Sequence, residues 1–227
     1  MRIALRVLSA FLIVTAATVV YPNGGGGMSM QMPTPHEQTP QQMAREAYND
    51  GVHDVKKADR ADSAAQAATD AAKKDKASRE AHGLYTSALS HFEQAVQLDP
   101  SLHEAWNYIG YTSRKLGNYD DALAAYNKAL SLKPGYPDAL EYRGEAYLGL
   151  NRISDAQQAY LDLYPGNRTL ASKLLSAMKS WVAGQRANPG GTSAANIDEL
   201  DKWISERAQI AGQTAALTRA GTAASWR

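Results

Sequence analysis

From residue 43 onward the apolar positions recur at helical spacing. Ala44, Ala47, Tyr48, Gly51, Val52 and Val55 fall at i, i+3, i+4, i+7, i+8 and i+11, which predicts an amphipathic helix. Trp106 to Leu116 predicts a second, closed by Gly117-Asn118-Tyr119, and Asp121 to Leu132 a third, stopped by Lys133-Pro134-Gly135. Asp120 and Asp121 read as residues opening that third helix, stabilised by its dipole. After Pro165 the stripe resumes with Leu170, Leu174, Met178, Trp181 and Val182. Asn188-Pro189-Gly190-Gly191 breaks it, and Ile197, Leu200, Ile204, Ala208 and Ala211 lie on one face of a last helix. The expected fold class is all-α.

Sliding the chain against itself exposes a repeat of 34 residues. Ala88, Ala122 and Ala156 keep that spacing, as do Phe92, Tyr126 and Tyr160. Ala95 pairs with Ala129, Pro100 with Pro134, Ala105 with Ala139, Tyr108 with Tyr142, Gly110 with Gly144, and Leu116 with Leu150. Each period holds two helices and a turn. Small residues are expected where helices cross, with Gly110 against Ala122 and Ala129 admitting the next repeat, while Trp106 and Tyr126 fill the space between layers.

The positions Trp106, Ile109, Gly110, Ala122, Tyr126, Ala129 and Pro134 resemble the tetratricopeptide repeat family, with Ser113 standing where a Tyr is usual. The next repeat follows with Leu140, Gly144, Tyr147, Ala156 and Tyr160, then departs at Leu163 and an early Pro165. The resemblance implies a solenoid of helical hairpins with about three repeats over 43–102, 103–136 and 137–170, within a repeat domain 42–185. A capping helix is expected over 167–185, an amphipathic helix over 192–212 and a fraying tail over 213–227. If Gly51 plays the part of Gly110, the first repeat carries an insertion of 25 residues. Between Lys56 and Gly83 no apolar residue exceeds Ala, so this stretch is expected to stay outside any core, as long helices in solvent or as a partly disordered loop.

In this family the first helix of each repeat lines a concave groove. The resemblance therefore assigns Glu104, Asn107, Tyr108, Tyr111 and Arg114 to that groove from one repeat. From the next it assigns Asp138, Glu141, Tyr142, Glu145 and Leu148. Tyr platforms among carboxylates suit a protein or peptide partner with apolar and basic residues. Members that grip chaperone C-terminal carboxylates use Lys, Arg and Asn in the groove. Tyr108, Asp138 and Tyr142 stand at the matching places here, so that activity is not expected.

The first 21 residues have a different character. Arg2 and Arg6 precede an uncharged run from Val7 to Val20, which reads as a secretory signal peptide or an uncleaved N-terminal membrane anchor. The expected location is thus exported, periplasmic or secreted, or anchored at a membrane. Residues 22–41, with Gly24 to Gly27 and Pro22, Pro33, Pro35 and Pro40, read as a disordered linker.

Composition narrows the function. Of the apolar residues 40 are Ala, which agrees with helix. With no Cys there is no disulfide, thiolate nucleophile or Cys-bound zinc, and a net charge of +1 argues against a general nucleic-acid binder. No phosphate loop, nucleophile elbow or His-Glu-x-x-His motif occurs, and His53 with Asp54 and Asp59 reads as a solvated helix surface. Met28, Met30, Met32 and His36 offer soft ligands of the Cu(I) type, without a second cluster to complete a site. No enzyme activity, metal or cofactor is assigned. The expectation is a non-catalytic interaction scaffold. Its rival is a structural subunit of a cell-envelope assembly that contacts its partners through the C-terminal helix around Trp203.

Overall fold

The computed structural model describes residues 38–223, with side chains to residue 216. The expected signal or anchor, the Met segment and almost all of the expected linker lie outside the described residues. Eight helices follow in chain order: α1 Pro40–Ala67, α2 Ala71–Leu98, α3 His103–Lys115, α4 Tyr119–Leu132, α5 Pro137–Gly149, α6 Ile153–Leu163, α7 Arg168–Ala187 and α8 Ala194–Ala223. Each packs on the next, so the described chain is four successive antiparallel hairpins. The odd-numbered helices also meet one another, α1 with α3, α3 with α5 and α5 with α7. No comparable contact joins α2 to α4 or α4 to α6.

Local chemistry sets the helix ends. Thr39 and Gln42 form a reciprocal capping box with Pro40 at the first helical position, so α1 starts inside what the sequence assigns to the linker. Asp70 caps α2 by accepting from Lys73 N at 2.9 Å, and Asn167 caps α7 through Leu170 N at 3.0 Å. Gly117 takes φ +84° in the α3–α4 turn, and 34 positions later Asn151 takes φ 58° in the α5–α6 turn. Asn is among the few non-glycine residues that enter this region readily.

The repeat frame reappears in the packing. A Cβ at Gly51 would lie 2.7 Å from the Phe92 ring, and one at Gly110 would lie 2.5 Å from the Tyr126 ring. Gly51 does play the part of Gly110. The glycine makes room for the ring of the paired helix, however, and Ala122 is not its nearest neighbour. At Gly144 the nearest atoms belong to Leu174 of α7, so the third repeat uses the same gap for the next hairpin. Trp106 packs against two core clusters, one built from α1 to α4 and one from α4 and α5, and thus ties adjacent layers together.

Two expectations need correction. The 56–83 insertion does build core, because α1 and α2 run on as a hairpin of two 28-residue helices whose Ala58, Ala61, Ala65 and Ala81 are buried. A methyl group suffices there because Ala faces let two helices approach closely, leaving little space to fill. Its basal part closes against Tyr85, Leu84, Tyr111 and Leu116, while residues 71–76 remain exposed. Second, α8 continues to Ala223, well into the stretch expected to fray. Of the two placements the sequence leaves open for the last helix, packing back on the array or docking elsewhere, α8 takes the first: Ile197, Leu200 and Ile204 are buried in the cluster shared with α5, α6 and α7. Trp203 meets Tyr160 edge-on at 5.3 Å, Arg207 lies 5.5 Å from its centroid, and the ring is half-buried. Ala208, assigned to the buried stripe, is exposed, while Ala211 is partly buried. Among the described residues no helix is long and apolar enough to cross a membrane.

Candidate interaction face

Helices α1, α3 and α5 bring together a continuous train of aromatic rings. Tyr48 of α1 meets Tyr108 of α3 edge-on at 5.7 Å, and Tyr108 stacks on the core ring Phe92 at 4.9 Å. Tyr108 also meets Tyr111 at 6.3 Å, and Tyr111 meets Tyr142 of α5 at 5.1 Å. These separations fall within the range of favourable ring pairs, so the rings hold one another in place. Tyr48, Tyr108, Tyr111 and Tyr142 are all half-buried.

Behind the train stands Asp59, which accepts the Tyr85 and Tyr111 hydroxyls at 2.6 Å each. Burial and then the Asp59 carboxylate raise both phenols far above the ordinary value, so they remain hydrogen-bond donors. Lys115 pairs with Asp62 beside them. The insertion hairpin therefore grips α3 through charged and phenolic groups, and Asp59 is no solvated residue.

Charge at the α5 end is mostly spent internally. Arg114 pairs with Glu145 at 2.6 Å and lies over the rings of Tyr111 and Tyr142, 5.4 and 5.5 Å from their centroids. Burial opposes the arginine charge, yet Glu145 with Tyr126 and Tyr111 carries its pKa above the usual value. Lys173 of α7 reaches Glu141 at 3.1 Å and sits 4.7 Å from the Tyr142 centroid. Burial, then Glu145, pushes the Glu141 carboxyl up to about 8 against the pull of Lys173. A shallow cleft of about 280 Å³ opens beside this network, lined by Arg114, Tyr119, Glu145, Leu148, Gly149 and Trp181 among others.

The residues assigned from sequence divide accordingly. Glu104, Tyr108, Tyr111, Arg114, Asp138, Tyr142 and Glu145 are partly exposed along α3 and α5. Asn107, Glu141 and Leu148 are buried, at 3%, 0% and 3% exposure, because neighbouring helices close over that row. Asn107 Oδ1 and Glu141 Oε1 are buried acceptors without a hydrogen-bond partner, and Arg114 Nε is a buried donor without one. No group of three or more His, Asp or Glu side chains among the described residues could hold a metal ion.

Comparison with known proteins meets this geometry at α3 and α4. The tetratricopeptide repeat profile matches residues 103–136. This is a tetratricopeptide-repeat-like chain. Similar solved structures include the TPR2B domain of yeast Sti1 in its pHsp70 complex, at 16% identity over 73% of this chain and 98% of that one, with TM-score 0.38. The CopN-Scc3 complex is another, at 18% identity over 66% of this chain and 82% of that one, with TM-score 0.42. No curated protein matches the chain.

The repeat frame also explains what the sequence left unassigned. A shift of 59 places Gly51 on Gly110 and therefore Tyr48 on Asn107, so Tyr48 could have been included from that register alone. Lys173 could not, since it reaches the face by crossing from α7. Neither could Asp59, whose two phenolic partners come from 26 and 52 residues away.

Proposed function

We propose that this tetratricopeptide-repeat-like protein is a non-catalytic scaffold that holds a segment of a partner protein against the face of α1, α3, α5 and α7. The observation that carries the reading is the ring train from Tyr48 to Tyr142, which crosses three successive hairpins without interruption. Contact among the odd-numbered helices with none comparable between the outer even-numbered ones favours an array that curves toward the odd side. Half-exposed Tyr rings offer large contact area at low entropic cost, which suits peptide recognition. Arg2, Arg6 and the uncharged run to Val20 favour an exported or membrane-anchored setting for this scaffold.

The test is a peptide-binding measurement on the full chain and on Tyr111→Leu. Tyr111 sits at the centre of the train, so binding should weaken about tenfold while the far-ultraviolet circular dichroism stays unchanged. Unchanged affinity in a folded variant would place the binding surface elsewhere. For the location, N-terminal sequencing and fractionation of expressing cells should find the chain outside the cytoplasm or in the membrane fraction.

A further inference from the structure

The charges and rings of this face are not all engaged. Tyr111 and Tyr142 already carry Arg114, Tyr142 also carries Lys173, and Tyr136 carries Lys133 at 4.7 Å from its centroid. Tyr48 and Tyr108 carry no cation of this chain among the described residues. The carboxylates divide in the same way. Arg114 pairs with Glu145, and Lys173 reaches Glu141. Glu104 meets only the His103 ring, at 3.0 Å, and Asp138 has no ion-pair partner among the described residues.

These four groups, none of them paired with a Lys or Arg among the described residues, are neighbours. Tyr48 and Tyr108 are in ring contact, and the negative charges of Glu104 and Asp138 act on the Tyr48 hydroxyl, while Asp138 acts on that of Tyr108. His103 joins the Glu104 carboxylate to the Tyr136 ring, which it meets edge-on at 5.0 Å. Tyr136 stands two residues before Asp138 on the next repeat. Arg45, exposed on α1, lies within electrostatic reach of Tyr48 but forms no ion pair with either carboxylate. The place offers half-exposed aromatic rings and negative charge together. Its complement is a cation that also donates hydrogen bonds.

We infer that Tyr48, Tyr108, Glu104 and Asp138 form a subsite for a lysine or arginine side chain of the bound partner segment. This rests on the reading of the face as a binding surface and adds what it selects. An ammonium or guanidinium group over Tyr48 and Tyr108 gains cation–π attraction, and its charge offsets two carboxylates that otherwise repel across adjacent repeats. The subsite lies at the N-terminal ends of α3 and α5, away from the Arg114 network. The fixed cations nearest a basic side chain seated there are Arg45 on α1 and Lys133, which lies 4.7 Å from the Tyr136 ring.

The experiment is selection of a random 12-residue peptide library displayed on phage against the full chain, followed by titration of the synthesised winners. Expected winners contain Lys or Arg, and replacing that residue by norleucine or citrulline weakens binding about tenfold. In the double variant Glu104→Gln, Asp138→Asn the parent peptide weakens about as much, and the replacement then changes affinity less than twofold, the non-additivity of a direct pairing. Amide hydrogen exchange of the unsubstituted protein locates each peptide without relying on a variant's folding. Winners that protect α1, α3 and α5 yet are indifferent to the loss of their basic residues would overturn the subsite and leave the binding face standing. Winners that protect only other helices, or no winners at all, would overturn both.

Discussion

Asp59 shows how much one side chain does in this molecule. It holds two phenols that reach it from α2 and α3, and both hydrogen bonds are short at 2.6 Å. Asp59→Ala would remove the shared acceptor of the Tyr85 and Tyr111 hydroxyls and is expected to cost about 2–4 kcal/mol, read as a lower urea midpoint at unchanged slope. The glycines divide by what lies in front of them. Gly110→Ala drives a methyl into the fully buried Tyr126 ring, which has no room to yield, and should cost about 1–3 kcal/mol. Gly83, mid-helix in α2 with nothing within 4 Å, should gain roughly 0.5–1 kcal/mol on replacement by Ala. Opposite signs in thermal melts of these two variants check the packing argument directly. Glu141 makes stability depend on pH. Its carboxyl is raised from the ordinary 4.5 to about 8 in the fold, so its contribution is fully present below pH 4.5 and is lost as pH rises toward 8. Between pH 5 and 8 the protein should lose about 1–3 kcal/mol more than Glu141→Gln does, as measured by denaturation at each pH.

At the scale of the element, periodicity located α3 to α6 because each of these helices buries one stripe and ends on a strong breaker. Asn151 illustrates the rule, adopting φ 58° at the place where the preceding repeat uses Gly117. The 56–83 stretch could not be read in the same way. Its Ala residues carry no amphipathic signal on a hydropathy count, since Ala serves an exposed helix and a tight helix pair equally well. Only the partner helix distinguishes the two, and here Ala58 and Ala81 are buried between α1 and α2 while residues 71–76 stay exposed. The candidate face was legible in part. Tyr108, Tyr111, Tyr142, Glu104 and Asp138 followed from the repeat register, but the burial of Asn107 and Glu141 depends on side chains such as Lys173 that arrive from the next hairpin.

The described residues form a row in which each hairpin is covered by its neighbours, and the free side of α7 needs a cover of its own. α8 supplies it through Ile197, Leu200 and Ile204. Deleting residues 192–227 would expose Leu174, Leu175, Met178 and Tyr160 together. The melting temperature should fall by several degrees, with dye binding or aggregation reporting the uncovered face. Because stability in such an array is summed from local interfaces, hydrogen exchange should register this loss first in α7 and α6 and least in α1 and α2.

The sequence by itself determined the helical class, the 34-residue period and the register that aligns Gly51 with Gly110. These follow from spacing, and spacing is a property of the chain alone. Tertiary structure decided that the Ala-rich insertion packs as a hairpin and that α8 folds back. It also decided which acidic groups of the aromatic face meet Lys or Arg, leaving Glu104 and Asp138 with neither among the described residues. The physical reason is that burial and charge pairing depend on residues from distant helices, whose approach no local pattern records.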